Sequence, residues 1–173
     1  VKEFKNEKVK AYEFGDMNDQ NRNKAFIDKL LLHKIKVYNS KGRFVVPVNQ
    51  PQSRMVKNFF ETYSVYVDSV FYDTSAWSVS NMYNMRSKKL KSFFGESEIK
   101  TTNGFVKNLK PKKSNYSYIL DWDDYNSPAA LNYLQKNGVI TYSAFKQFTI
   151  KINGTNSSKK FNYGSLLIPV SKQ

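Results

Sequence analysis

Cysteine is missing from all 173 residues, histidine occurs once, glycine seven times, and only four of the 28 basic residues are arginine. Without cysteine there is no disulfide, no thiol nucleophile and no soft-ligand zinc site. A lone histidine, His33, cannot supply the two His and one Glu, with a further Glu as base, that a catalytic peptidase zinc requires. It is followed by Lys34-Ile35-Lys36, so no His-x-x-Glu ligand pair begins there. Neither G-x-G-x-x-G nor G-x-x-x-x-G-K-[ST] occurs, so a nucleotide cradle lacks its backbone material. Apolar runs such as residues 44–46 or 166–168 are too short to span a bilayer. No charged, apolar, small-residue leader opens the sequence, and its start at Val1 suits an excised or processed fragment. No metal, cofactor or membrane span is therefore expected of this chain.

What is present is a hydrophobic fraction of 40% and an aromatic fraction of 16%, the composition of a folded domain. The net charge of +14 raises the question of a polyanion. Against it, the bidentate contacts that nucleic acids favour are made by arginine, and only Arg22, Arg43, Arg54 and Arg86 are available. The excess is concentrated in residues 86–113, where nine basic residues meet only Glu96 and Glu98. The expected reading is a solvated lysine surface, with nucleic acid not the expected partner. The alternative, a basic module for nucleic acid or anionic glycan, requires Lys88, Lys89, Lys91, Lys107, Lys110, Lys112 and Lys113 to share one face.

Periodicity predicts one supersecondary unit twice. Residues 9–14 alternate as a strand, and residues 21–33 place Phe26, Ile27, Leu30 and Leu31 on one helical face. Residues 35–38 and 43–48 then read as strands. In the second copy residues 116–122 form a strand and residues 127–137 a helix with Ala130, Leu131 and Leu134 at matching positions. Ser127-Pro128 is expected as N-cap and first helical residue, and Gly138 as the stop. Residues 139–142 mirror 35–38, and Leu-Ile-Pro-Val at 167–170 mirrors Val-Val-Pro-Val at 45–48. An insertion, residues 145–163, should be a hairpin around Asn153-Gly154. In copy one a helix follows, residues 50–61, with Met55, Val56, Phe59 and Phe60 inward. The second copy stops at Gln173 before any such helix and is expected to be truncated there. A short helix is expected over 75–85.

These patterns predict an α/β fold with a mixed, largely parallel sheet, flanking helices and two related β-α-β-β halves. The expected divisions are 1–85 for the first half with its helix and a following loop, 86–114 for a basic connection, and 115–173 for the second half.

Acidic clusters have a bland reading and a functional one. Asp121, Asp123 and Asp124 beside Trp122 could form a cation or acid-base site at a strand end, but capping of the next helix, as for Asp16 and Asp19, is expected instead. Asp68 and Asp73 could act as paired carboxylates, though bonds to loop amides account for them as well. Ser69 and Ser75 lack a G-x-S-x-G context, and His33 at a helix end suits the dipole better than a triad. No catalytic residue is assigned. A hydrolase using the aspartates would need at least two of them facing one pocket.

Residues 49–79, with Gln50-Pro51 at a helix start and Asp68-Ser69, Phe71-Tyr72-Asp73 and Ser75-Ala76-Trp77, form a block specific enough to compare with known families. A second block holds Tyr118 to Trp122, including Asp121, then Leu131 to Leu134 and Phe161 to Leu166, including Gly164. Together they resemble the non-catalytic region after the peptidase domain in bacterial, Bacteroidetes-like zinc carboxypeptidases of the carboxypeptidase A type. The resemblance implies a class I glutamine amidotransferase-like α/β fold without a working nucleophile. It implies a non-enzymatic accessory domain whose parent is a zinc metallocarboxypeptidase. Its partners would be the upstream peptidase domain and peptide or cell-wall substrate, and its location extracellular or periplasmic. The signature residues Gln50, Pro51, Asp68, Phe71, Tyr72, Asp73, Trp77, Asp121, Trp122 and Gly164 are then expected to be structural.

Overall fold

A computed structural model describes residues 8–62, 78–106, 110–151 and 157–172. It divides into two compact units, Val1–Val106 and Lys107–Gln173.

The first unit opens with β1 (Ala11–Phe14), α1 (Gln20–Leu32), β2 (Val37–Ser40) and β3 (Arg43–Pro47). Asp19 caps α1 by accepting from the Arg22 amide at 2.9 Å, and the Arg22 guanidinium reaches back to Asp16 at 2.7 Å. The helix ends with Lys34 at φ 58°, where the Ile35 amide donates to the Leu30 carbonyl at 3.0 Å. That left-handed residue and long return bond form a Schellman closure. Next come α2 (Ser53–Phe60), a four-residue helix α3 (Val79–Met82), β4 (Ser87–Leu90) and β5 (Ser97–Ile99). The sheet runs β4-β1-β3-β2-β5.

Every pairing in that sheet is antiparallel, which overturns the largely parallel α/β sheet and the amidotransferase-like fold the sequence led us to expect. The cause is the two-residue turn between β2 and β3. Lys41 and Gly42 have φ of 49° and 81°, the pair of positive values that a tight hairpin needs. The hairpin sends β3 back antiparallel to β2, and β3 then pairs with β1. The strands on either side of α1 are parallel to each other but never touch, because β3 lies between them. Strands β4 and β5, from the stretch read as a connection, complete the two edges.

The second unit repeats this path. Its elements are β6 (Ser117–Leu120), α4 (Ser127–Lys136), β7 (Tyr142–Ser143), β8 (Phe148–Lys151), β9 (Ser158–Phe161), β10 (Leu166–Pro169) and a 3-10 turn, Val170–Lys172. The last strand again sits between the first and second, in the order β6-β10-β7 and wholly antiparallel. The registers coincide: Ala11 faces Pro47 as Ser117 faces Pro169, and Tyr38 faces Val45 as Tyr142 faces Leu167. The closures coincide too, with Gly138 at φ 71° and the Val139 amide donating to the Leu134 carbonyl at 3.0 Å. Beyond each last strand, Val48 donates to Lys10 and Val170 to Tyr116, both at 2.9 Å. The β-α-β-β order thus recurs in the two units, in antiparallel sheets and not the largely parallel sheet expected. The insertion is a separate two-stranded hairpin, β8 paired with β9.

The copies differ in how far they close. In the first unit α1 and α2 cover one sheet face, and Phe60 of α2 fills the middle. Its ring stacks on Tyr12 at 4.9 Å and meets Phe14 and Phe26, each at 5.6 Å. Tyr12, Phe14, Phe26, Ile27, Leu30, Val46 and Val56 are all buried around it. In the second unit the counterparts Tyr118, Leu120, Ala130, Leu131 and Leu134 are only half-buried. No helix corresponding to α2 covers them among the described residues.

Asp28 on the outer side of α1 ties down the segment after β5. It accepts from Lys24 at 2.6 Å and from the buried Thr102 hydroxyl, 74 residues away. Burial raises its pKa, but the hydrogen bonds from Lys24 and Thr102 and the charge of Lys24 outweigh that, leaving it below its ordinary value. A lowered folded pKa gives stability that is fully present above the unfolded carboxyl pKa of about 4 and is lost as pH falls through the folded value. Asp28→Asn is therefore expected to flatten the stability profile of the first unit below about pH 4. Because the side chain is 45% exposed, the effect should stay under about 1 kcal/mol. Denaturant titrations at a series of acidic pH values would check it.

Candidate functional site

A concavity lies on the second unit. The β6-β10-β7 sheet has one face toward α4, and on the other the β8–β9 hairpin leaves a half-open groove of about 980 Å³. Strand alternation sends Ile119 and Leu167 to this face, and the pairing of Tyr142 with Leu167 adds the tyrosine. From the hairpin come Phe148, Ile150 and Phe161. Phe148 and Phe161 are direct cross-strand partners with stacked rings 5.3 Å apart, which fixes the hairpin wall. Lys112, Lys113 and Lys151 also line the groove.

The sheet face that forms this groove is closed in the first unit and open in the second. Val45 is 1% exposed and its counterpart Leu167 is 37% exposed. Tyr38 carries the Phe93 ring at 5.0 Å, whereas Tyr142 is 46% exposed and holds the Lys172 ammonium over its ring. The Ser165 hydroxyl, also lining the groove, is buried and has no hydrogen-bond partner. Buried hydroxyls normally have one. These features can hold an apolar or aromatic segment with a polar group near Ser165. They do not assemble a nucleophile, base and orienting group.

The acidic loop behaves as local structure. Asp121 accepts from the Asp123 amide at 3.1 Å and pairs with Lys159 at 2.8 Å. Asp124 accepts from the Asn126 amide at 2.8 Å, and Asp123 from the Asn162 side chain at 2.6 Å. The helix cap falls one residue earlier than expected, at Asn126, whose side chain makes no cap bond. Ser127, read as the cap, is instead buried in the first turn, and its hydroxyl donates to the Asp121 carbonyl. It takes the place of Asn23 in the first unit, which donates to the Asp16 carbonyl at 2.7 Å.

Three of the signature residues have definite structural work. Gln50 is buried and clasps the ends of two strands: its oxygen accepts from the Lys36 amide at 2.8 Å and its nitrogen donates to the Pro47 carbonyl at 2.7 Å. Gln50→Leu should strand the Lys36 amide and cost the first unit about 1–3 kcal/mol, measurable by chemical denaturation. Trp122 lies against Gly164, where an added Cβ would sit 3.0 Å from the indole Cδ1. Gly164 also has φ 81°, so Gly164→Ala combines backbone strain of about 1–2 kcal/mol with displacement of the ring. Faster amide exchange confined to the second unit is the expected readout. Pro51 is exposed in the turn before α2. Asp68, Phe71, Tyr72, Asp73 and Trp77 lie outside the described residues.

His33 is the residue that closes α1, its ring edge-on to Phe59 at 5.5 Å. Among the described residues no three His, Cys, Asp or Glu side chains gather as metal ligands would. Among them, too, no helix is long and apolar enough to cross a membrane. On β4, consecutive Lys88 and Lys89 alternate in direction, so they do not share a face. The groove was not foreseen from the sequence, although the alternation Phe148-Thr149-Ile150-Lys151 marks a strand with one apolar side. No family model matches the chain, and no similar protein was found among curated proteins or solved structures.

Proposed function

We propose that this chain is a non-catalytic accessory module that engages a polypeptide through its second unit. The observation that carries the reading is the apolar surface left open there, with Leu167, Tyr142 and Ile150 each more than a third exposed around one groove. Each 100 Å² of apolar surface covered by a partner contributes about 2.5 kcal/mol. Exposed apolar concavities of this kind mark interaction sites more often than they are tolerated idle. The resemblance of the signature blocks to zinc carboxypeptidases supports a peptidase domain of the same protein, or its peptide or cell-wall substrate, as the polypeptide engaged. A location outside the cytoplasm is proposed on that resemblance alone.

A second reading is favoured by the lysines of the groove. Lys112, Lys113 and Lys151 beside Tyr116 and Tyr142 would also suit an anionic polymer. The two readings separate in a salt series. The chain is mixed with the separately produced peptidase domain, and association and peptide turnover are followed up to about 1 M salt, where charges are screened beyond about 3 Å. Association that persists, with altered turnover or specificity, is expected. No association, together with capture of a polyanion that fades steeply with salt, would overturn the accessory module and favour the polyanion module.

A further inference from the structure

Asparagine followed by glycine occurs at residues 103–104, 137–138 and 153–154, and the fold treats the first two pairs in opposite ways. The pair at 153–154 lies outside the described residues. Asn137 closes α4 with its side-chain nitrogen donating to the Tyr133 carbonyl at 2.8 Å, and the Gly138 amide donates to the Gln135 carbonyl at 3.0 Å. Each of the two groups that would have to react is thus engaged elsewhere. Asn103 and Gly104 stand in the middle of a turn closed by the Phe105 amide, which donates to the Thr102 carbonyl at 3.1 Å. Both are exposed, Gly104 has φ 84°, and a Cβ added to it would meet nothing within 4 Å. Among the described residues nothing bonds the Asn103 side chain or the Gly104 amide. The neighbours on either side are anchored. The Thr102 hydroxyl donates to Asp28 on α1, and the Phe105 ring stacks on Phe44 of β3 at 5.8 Å.

We infer that Asn103 is a site of spontaneous deamidation, that Asn137 is spared, and that the modification releases the segment after β5. The Gly104 backbone nitrogen attacks the side-chain carbonyl carbon of Asn103. A C–N bond forms, and the side-chain nitrogen leaves as ammonia with the proton that the backbone amide gives up. Glycine has no side chain to obstruct this closure, and its backbone turns freely enough to allow it. A water molecule then opens the cyclic imide at either carbonyl, giving aspartate or isoaspartate. At Asn137 the same closure must first break two hydrogen bonds, which slows it at least about tenfold relative to Asn103. Either product sets a carboxylate beside Thr102, whose hydroxyl is bonded to the carboxylate of Asp28, and like charges repel. The isoaspartyl product also adds a methylene to a backbone held at both ends, so the Thr102 or the Phe105 anchor must yield.

The test holds the whole chain at mildly alkaline pH, samples it over days, and maps digested peptides by mass. A parallel sample is kept in denaturant. The folded chain should convert Asn103 at least about tenfold faster than Asn137, with isoaspartate confirmed by an isoaspartyl methyltransferase. In denaturant, where turn and helix are gone, the two rates should converge. Asn137 reacting as fast as Asn103 in the folded chain, or Asn103 reacting only in denaturant, would overturn the assignment. Amide exchange reads the consequence. As isoaspartate accumulates, amides of residues 99–106 and of the α1 turn that holds Asp28 should exchange severalfold faster. An Asn103→Gln variant, which closes the larger imide ring far more slowly, should keep its protection when aged alongside. Unchanged exchange in the modified chain, or an equal loss in the Asn103→Gln chain, would overturn the release of the segment.

Discussion

Phe60→Ala is expected to destabilise the first unit by about 3–5 kcal/mol, the range for removing a fully enclosed aromatic ring. Its ring is the common neighbour of Tyr12 and Phe14 on β1 and of Phe26 on α1, so its removal empties the junction of three elements. The stacked contact with Tyr12, at 4.9 Å and 10° between planes, is lost as well. Relaxation of α2 into the space is restrained by the Gln50 clasp before it and by the burial of Val56 within it. Because the chain has two units, a single unfolding midpoint need not describe both. Exchange of amides in β1, β3 and α1 is therefore the proper measure. They should exchange at least a hundredfold faster in the variant, since about 1.4 kcal/mol corresponds to a factor of ten. Amides of β6 and β10 should not respond. A loss below about 1 kcal/mol would mean that Phe60 is not central to this core.

Much of this architecture was legible because local chemistry and fold agree. The apolar stripe Phe26, Ile27, Leu30 marks α1, the repeated Val-Pro and Ile-Pro strand ends mark β3 and β10, and the shared spacing reveals the duplication. Strand direction was not legible, since a strand-helix-strand pattern fits both an adjacent parallel pair and a split pair with a later strand between them. Only the Lys41-Gly42 turn distinguishes them, and its brevity is the decisive signal. Strands β4 and β5 were not legible because they are short edge strands without apolar alternation, with Lys88 and Lys89 exposed on β4. Lysine on an edge strand discourages pairing with other chains. The groove was invisible for another reason: it depends on where β8 and β9 turn relative to their sheet, which no short-range pattern encodes. Among the signature residues Gln50 acts by clasping, Trp122 and Gly164 by packing and Asp121 by bonds within its loop, while Pro51 lies exposed in a turn.

Equivalent leucines in the two copies should give unequal losses, because one is enclosed and the other is only half-buried. Leu30 on α1 is fully buried, so Leu30→Ala removes transfer free energy and leaves a cavity, at a cost of about 2–5 kcal/mol to the first unit. Leu134 holds the same place on α4, with the same bond from its carbonyl to the amide five residues on, yet it is only half-buried. Water already reaches part of it, and an open channel leaves no closed void, so Leu134→Ala should cost the second unit about 1 kcal/mol. Urea titrations read by exchange in each unit would compare the two directly. Equal losses would show that the second channel is as well covered as the first.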